Sequence, residues 1–144
     1  MIKSIDHSPL KHKRFRIVLS DNRHFDFGLR GAQTFVDHGD LQMRENYRKR
    51  HLGNEREKYL IDNYIPSPAL FSYYILWGES KNLETNVKEL NKKLKRKIYF
   101  FFLQYIYQWI ELNQSFRMEV TKNLLNSIGY IFHIWLMANE EKKI

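Results

Sequence analysis

The stretch Asp37 to His51, DHGDLQMRENYRKRH, gathers the side chains best suited to chemistry: Asp37, His38, Asp40 and His51, followed and interleaved by Arg44, Arg48, Lys49 and Arg50. Two carboxylates and two imidazoles could in principle bind a divalent ion, or supply the acid–base half of a metal nuclease. The spacing matches no standard ligand pattern such as H-E-x-x-H, and each residue has a simpler use. Asp40 stands where a helix N-cap belongs, and His51 ends a basic helix, where a cation complements the dipole. No glycine-framed serine elbow surrounds Ser20, Ser67 or Ser72, and Gly28, Gly31 and Gly39 are not followed by the Lys-Ser/Thr of a phosphate-cradling loop. The expectation is a chain without catalytic residues, metal or cofactor, with the metal nuclease as a minor rival.

The basic residues give the better lead. Lys11, Lys13, Arg14, Arg16 and Arg30 lie close in sequence, and Arg44, Arg48, Lys49, Arg50 and His51 follow on one helix with Tyr47 among them. Arginine is the side chain for forked contacts to phosphate or carboxylate. A candidate binding face therefore comprises Arg14, Arg16, Arg30, Arg44, Arg48, Lys49, Arg50 and His51, set against the plainer reading of a solvated helix face. The whole chain of 144 residues carries a net charge of +8, which points to a polyanionic partner: nucleic acid, an anionic membrane face or an acidic protein. It contains no Cys, which excludes disulfides and thiolate metal sites and fits a reducing compartment. No helix-turn-helix or zinc-finger pattern supports base-specific DNA reading; non-specific phosphate contact stays open.

The elements that must position these residues follow from periodicity. Residues 1–12 read as a polar, loosely tied arm. Phe15, Ile17 and Leu19 alternate with Arg16 and Val18, which predicts a half-buried strand over 14–19. Asp21 and Asn22 supply turn chemistry before a second strand over 24–27, so a β-hairpin is expected. Residues 32–36 suit a short extended piece. A helix capped by Asp40 runs to Gly53-Asn54, with Leu41, Tyr47 and Met43 toward the core and Arg44 and Arg48 toward solvent. A second helix over 55–64 would turn Tyr59 and Leu60 inward.

Ser67-Pro68 opens a buried helix over 69–77, closed by Gly78 as a left-handed cap. Leu83, Val87, Leu90, Leu94, Ile98, Phe101, Tyr105, Trp109 and Leu112 form one apolar stripe, predicting a single helix over 83–112. A last helix is expected over 116–139. The fold class is thus α+β and mostly α: a short N-terminal hairpin on several helices, then a long-helix hairpin. The organisation is an arm over 1–13, a basic domain over 14–97 and a helical extension over 98–144. Neither long apolar run reaches the roughly 20 residues of a membrane span.

Residues Arg14 to Gly78 resemble a small basic domain of unknown function that recurs in giant viruses, the nucleocytoplasmic large DNA viruses. Phe27-Gly28, His38, Asp40, Arg44, Tyr47, Arg50, His51, Leu76 and Trp77 carry the resemblance in order, with Gly39 a departure from its pattern. It extends loosely to Leu94. The resemblance implies structural positions at Phe27, Gly28, His38, Asp40, Tyr47, Leu76 and Trp77. It also implies a setting: the virion, with host cytoplasm during assembly. The expected function is a non-enzymatic, capsid-associated interaction protein whose candidate partners are other virion proteins and nucleic acid, with peripheral membrane contact through the C-terminal helices. The alternative is a non-specific nucleic-acid binder for genome packaging.

Overall fold

The computed structural model describes residues 1–112 and 127–129. The chain divides into two compact units, Met1–Ile98 and Tyr99–Ile144. The expected helix over 116–139 and most of the extension over 98–144 lie outside the described residues.

The first unit is α+β. Three strands, β1 (Ile2–His7), β2 (Lys13–Leu19) and β3 (His24–Leu29), form an antiparallel meander in that order. Phe15 pairs with Phe27 and Ile17 with Phe25 across β2 and β3, which stacks the inward side chains on one face. Asn22 takes a left-handed backbone in the turn, and the Asp21 carboxylate accepts the Arg23 N–H at 3.1 Å, as the turn residues imply. The arm expected over 1–12 is corrected: Ile2–His7 is an edge strand, paired from Ile5↔Ile17 to His7↔Phe15. Its tie is tertiary, because the Asn91 side chain accepts the Ile2 N–H at 2.9 Å and donates to the Ile2 carbonyl at 3.2 Å. No local pattern in MIKSIDH announces that clamp.

Helical segments follow. The extended piece expected over 32–36 stops at Thr34, whose backbone is extended, and Phe35 and Val36 instead begin a single turn, α1 (Phe35–His38), ended by Gly39 in a left-handed conformation. α2 (Leu41–Gly53) starts at Asp40, whose Oδ1 accepts the Met43 N–H at 2.9 Å, so the N-cap stands as expected. Asn54 caps α3 (Glu55–Asp62) by accepting the Glu57 N–H at 3.1 Å. There Ile61 is the buried residue and Tyr59 is exposed, contrary to the inward placement of Tyr59. Ser67 caps the next segment through Leu70 N–H at 3.2 Å with Pro68 in the first turn.

That segment is not one regular helix. α4 (Pro68–Phe71) passes into a π-helical turn over Ser72–Leu76, closed by Trp77 N–H to the Ser72 carbonyl at 3.0 Å. Gly78 is corrected too, since its backbone is not left-handed. What it needs is space: an added Cβ would run into the Tyr74 carbonyl and lie 2.7 Å from the Asn86 side chain. α5 (Leu83–Leu112) is helical throughout the predicted stretch, and Asn82 starts it by accepting the Thr85 N–H at 2.9 Å.

The core lies between sheet and helices. Ile17, Phe27, Leu70, Phe71, Ile75 and Leu90 are fully enclosed, with Leu76 and Trp77 beside them. Burial of each large apolar side chain is worth about 1.5–3 kcal/mol, so this cluster supplies the first unit's main cohesion. Gly28 faces it with a left-handed backbone, and a Cβ there would stand 2.8 Å from Leu76 Cδ1. In the second unit, Phe100, Phe102, Tyr105 and Tyr107 of α5 are exposed. Among the described residues no helix is long and apolar enough to cross a membrane.

Candidate functional site

α2 has an unusual way of docking. It buries no residue, and Leu41 and Met43, expected to face the core, are exposed. The arginines do that work instead. Arg44 and Arg48 point inward rather than to solvent, with side chains only 14% and 18% exposed. Their apolar stems and flat guanidinium faces can cover aromatic surface while the fork still meets an acid. The Arg44 guanidinium lies 4.9 Å from the Phe35 ring centre and that of Arg48 4.6 Å from Tyr73. Between them Tyr47 stacks on Trp77 at 4.2 Å and an angle of 9°.

Both forks converge on one carboxylate. Arg44 Nη1 is 3.1 Å from Glu79 Oε2, and Arg48 Nη1 is 2.6 Å from Glu79 Oε1. The Arg48 hydrogen bond holds the Glu79 carboxyl below its usual range against partial burial, with the charges of Arg44 and Lys93 adding to the pull. Glu79 itself is 75% exposed. It sits on a turn fixed by Asn86, a buried side chain that accepts the Ser80 N–H at 3.0 Å and donates to the carbonyls of Ile75 at 2.9 Å and Ser80 at 2.7 Å. Glu79 and Asn86 carry no sequence signal of their own. An acid in a polar turn and an asparagine early in a helix are ordinary, and only the tertiary arrangement gives them roles.

The sheet-side arginines are paired differently. Arg14 meets Asp37 with both arms, Nη1 to Oδ2 at 2.6 Å and Nη2 to Oδ1 at 2.7 Å. Asp37 also accepts the Thr34 N–H and hydroxyl, each at 2.8 Å, so one carboxylate starts α1 and holds β2 to it. The Arg14 fork, seconded by Thr34, drives the Asp37 carboxyl far below the ordinary carboxylate range despite partial burial. Arg16 makes a two-pronged pair with Asp26 across the β2–β3 ladder, and Ser8 Oγ joins at 2.5 Å. Arg30 donates to the carbonyls of Ser8, Leu10 and Lys13, tying down the β1–β2 connection. Arg14, Arg30 and Asp37 also line an open cleft of about 390 Å³ with His7, Gly31, Ala32 and Gln33.

The remaining predicted residues fall as follows. Lys49 and Arg50 are exposed, with Arg50 5.1 Å over the Tyr47 ring. His51 lies against Tyr47 at 4.1 Å with the rings tilted by 36°, and places Nδ1 2.5 Å from the Glu57 carboxylate. His38 lies edge-on to Trp77 at 5.8 Å, and its Nδ1 accepts the Asp40 N–H at 2.8 Å. The two histidines thus stand at opposite ends of the ring series His38–Trp77–Tyr47–His51. Among the described residues no group of three His, Cys, Asp or Glu is placed to hold a metal ion. Phe27, Leu76 and Trp77 belong to the core.

Charge is divided as sharply as burial. Residues 1–98 carry 20 Lys and Arg against 12 Asp and Glu, while residues 99–144 carry four against four. The whole net charge of +8 therefore belongs to the first unit. No curated protein and no solved structure matches the chain. Over residues 3–51, which hold the three strands, α1 and most of α2, it is similar to a family of unknown function (DUF5754).

Proposed function

We propose that the chain is a non-enzymatic interaction protein that uses the basic surface of its first unit to engage acidic protein or phosphate. The observation that carries this reading is the charge division: every uncompensated positive charge is gathered on the unit whose arginines are held in place by rings and carboxylates. Rings and ion pairs fix the forks before a partner arrives, which lowers the ordering cost of binding. The exposed aromatics of α5 give the second unit a separate contact surface, for protein or for a lipid face. Together with the resemblance to the giant-virus domain, the proposed setting is the virion, where the protein serves as a minor capsid-associated component.

Mass-spectrometric inventory of purified particles with crosslink mapping tests the reading. Crosslinks from Lys49 and Lys95 to acidic stretches of a virion protein are the expected result; absence of the protein from particles overturns the setting. A second reading, non-specific nucleic-acid binding for packaging, is favoured by the same net charge. It requires affinity that falls steeply as salt rises. Equal binding at low and high salt removes it. Flotation with anionic vesicles, with and without residues 98–144, decides whether the exposed aromatics meet lipid.

A further inference from the structure

The clasp on α2 has more cation than its own acid can satisfy. Arg44 and Arg48, one helical turn apart, meet on the Glu79 carboxylate. Two guanidinium charges thus meet on one carboxylate. Arg44 Nε is buried and finds no acceptor, which leaves a donor unspent. The forks are immobilised by Phe35 and Tyr73, whereas Glu79 is mostly in solvent and can swing away at little cost. The other acid beside Arg44 does not fill the gap: Glu45 reaches Arg44 Nη2 only at 3.3 Å and is itself half exposed.

We propose that Arg44 and Arg48 form a phosphate-binding clasp that Glu79 occupies as a stand-in, and that its intended guest is a phosphate monoester on a partner protein. A monoester is a dianion with three terminal oxygens near neutral pH, so it matches the surplus charge and the unspent donor better than a carboxylate or a singly charged diester does. This deepens the proposed function by naming the chemistry that the basic surface reads, and it rests on that reading.

The test uses the full chain and follows the thermal midpoint and the arginine Nε–H NMR signals while inorganic phosphate is added at constant ionic strength. Glu79→Gln removes the stand-in charge and is expected to tighten phosphate binding at least five-fold. Asp62→Asn, an equal charge change on an exposed residue of α3, is expected to leave it within two-fold. Adding Arg48→Gln to Glu79→Gln should abolish the gain. Because the principal expectation is tighter binding, misfolding cannot imitate it. A phosphoserine peptide should exceed an oligonucleotide of equal phosphate content in affinity per phosphate.

Equal gains from Glu79→Gln and Asp62→Asn overturn the clasp, as does acetate competing as well as phosphate. An oligonucleotide that binds more tightly per phosphate overturns the monoester assignment. Partner binding that survives with no Glu79 effect removes the clasp and leaves the basic surface. A Glu79 effect in a protein that binds no virion partner removes the proposed setting and leaves the clasp.

Discussion

Two acid–arginine arrangements stand side by side in the first unit and behave as opposites. Asp37 is taken from every side, by both arms of Arg14 and by two donors of Thr34. Glu79 touches two arginines by one oxygen each and keeps most of its surface in water. The first is a joint between β2 and α1. The second is a contact that solvent can replace. The difference teaches that pairing alone does not mark an arginine as structural; what matters is whether the acid has other bonds to lose.

The largest expected effect comes from undoing the turn that presents Glu79. Asn86→Ala leaves the carbonyls of Ile75 and Ser80 and the Ser80 N–H without their partner. Buried groups left unmade cost about 1–3 kcal/mol each, so a loss near 3 kcal/mol in urea unfolding is expected. Asp37→Ala comes next, at about 2 kcal/mol, from the lost α1 start and the forked pair. Glu79→Gln should lie within about 0.5 kcal/mol of the parent, as exposed pairs do. If the last two values coincide, the contrast between joint and replaceable contact fails.

Acid titration sharpens it further. Both carboxyls titrate lower in the folded chain than when free. Their contributions are therefore complete above the unfolded values of about 4 and fade as the pH drops through the folded ones. Asp37 is held far lower than Glu79, so the clasp should open first on acidification, seen as exchange at the Arg48 Nε–H before that at Arg14. Solvent screening keeps Glu79's share of the stability change small. A comparably small effect is expected of Arg50→Gln, which removes one ring contact at the surface and should leave stability within about 0.5 kcal/mol of the parent while slowing association with an acidic partner.

Much of this fold was legible before any coordinates. Alternation found β2 and β3, side-chain caps found the starts of α2 and α4, and the apolar stripe found α5 from Leu83 onward. What escaped was whatever depends on distant partners. β1 is polar and is made a strand by β2 and by a side chain 89 residues away. The inward turn of Arg44 and Arg48 escaped because periodicity treats charge as a mark of solvent, whereas rings at Phe35 and Tyr73 accept guanidinium faces. Both arginines of the clasp were therefore legible in sequence but faced the wrong way. Glu79 was not named at all.

The π-turn at Ser72–Leu76 makes chain length itself a constraint. It houses one residue more than an α-helical path between the same ends would need. Each residue of a regular helix advances the azimuth by about 100°, so excising one from this segment would restore ordinary winding and rotate Trp77 away from Tyr47 by roughly that angle. The stretch should then be far less tolerant of a single-codon deletion than of conservative replacement, because the surplus residue sets the bearing of the indole.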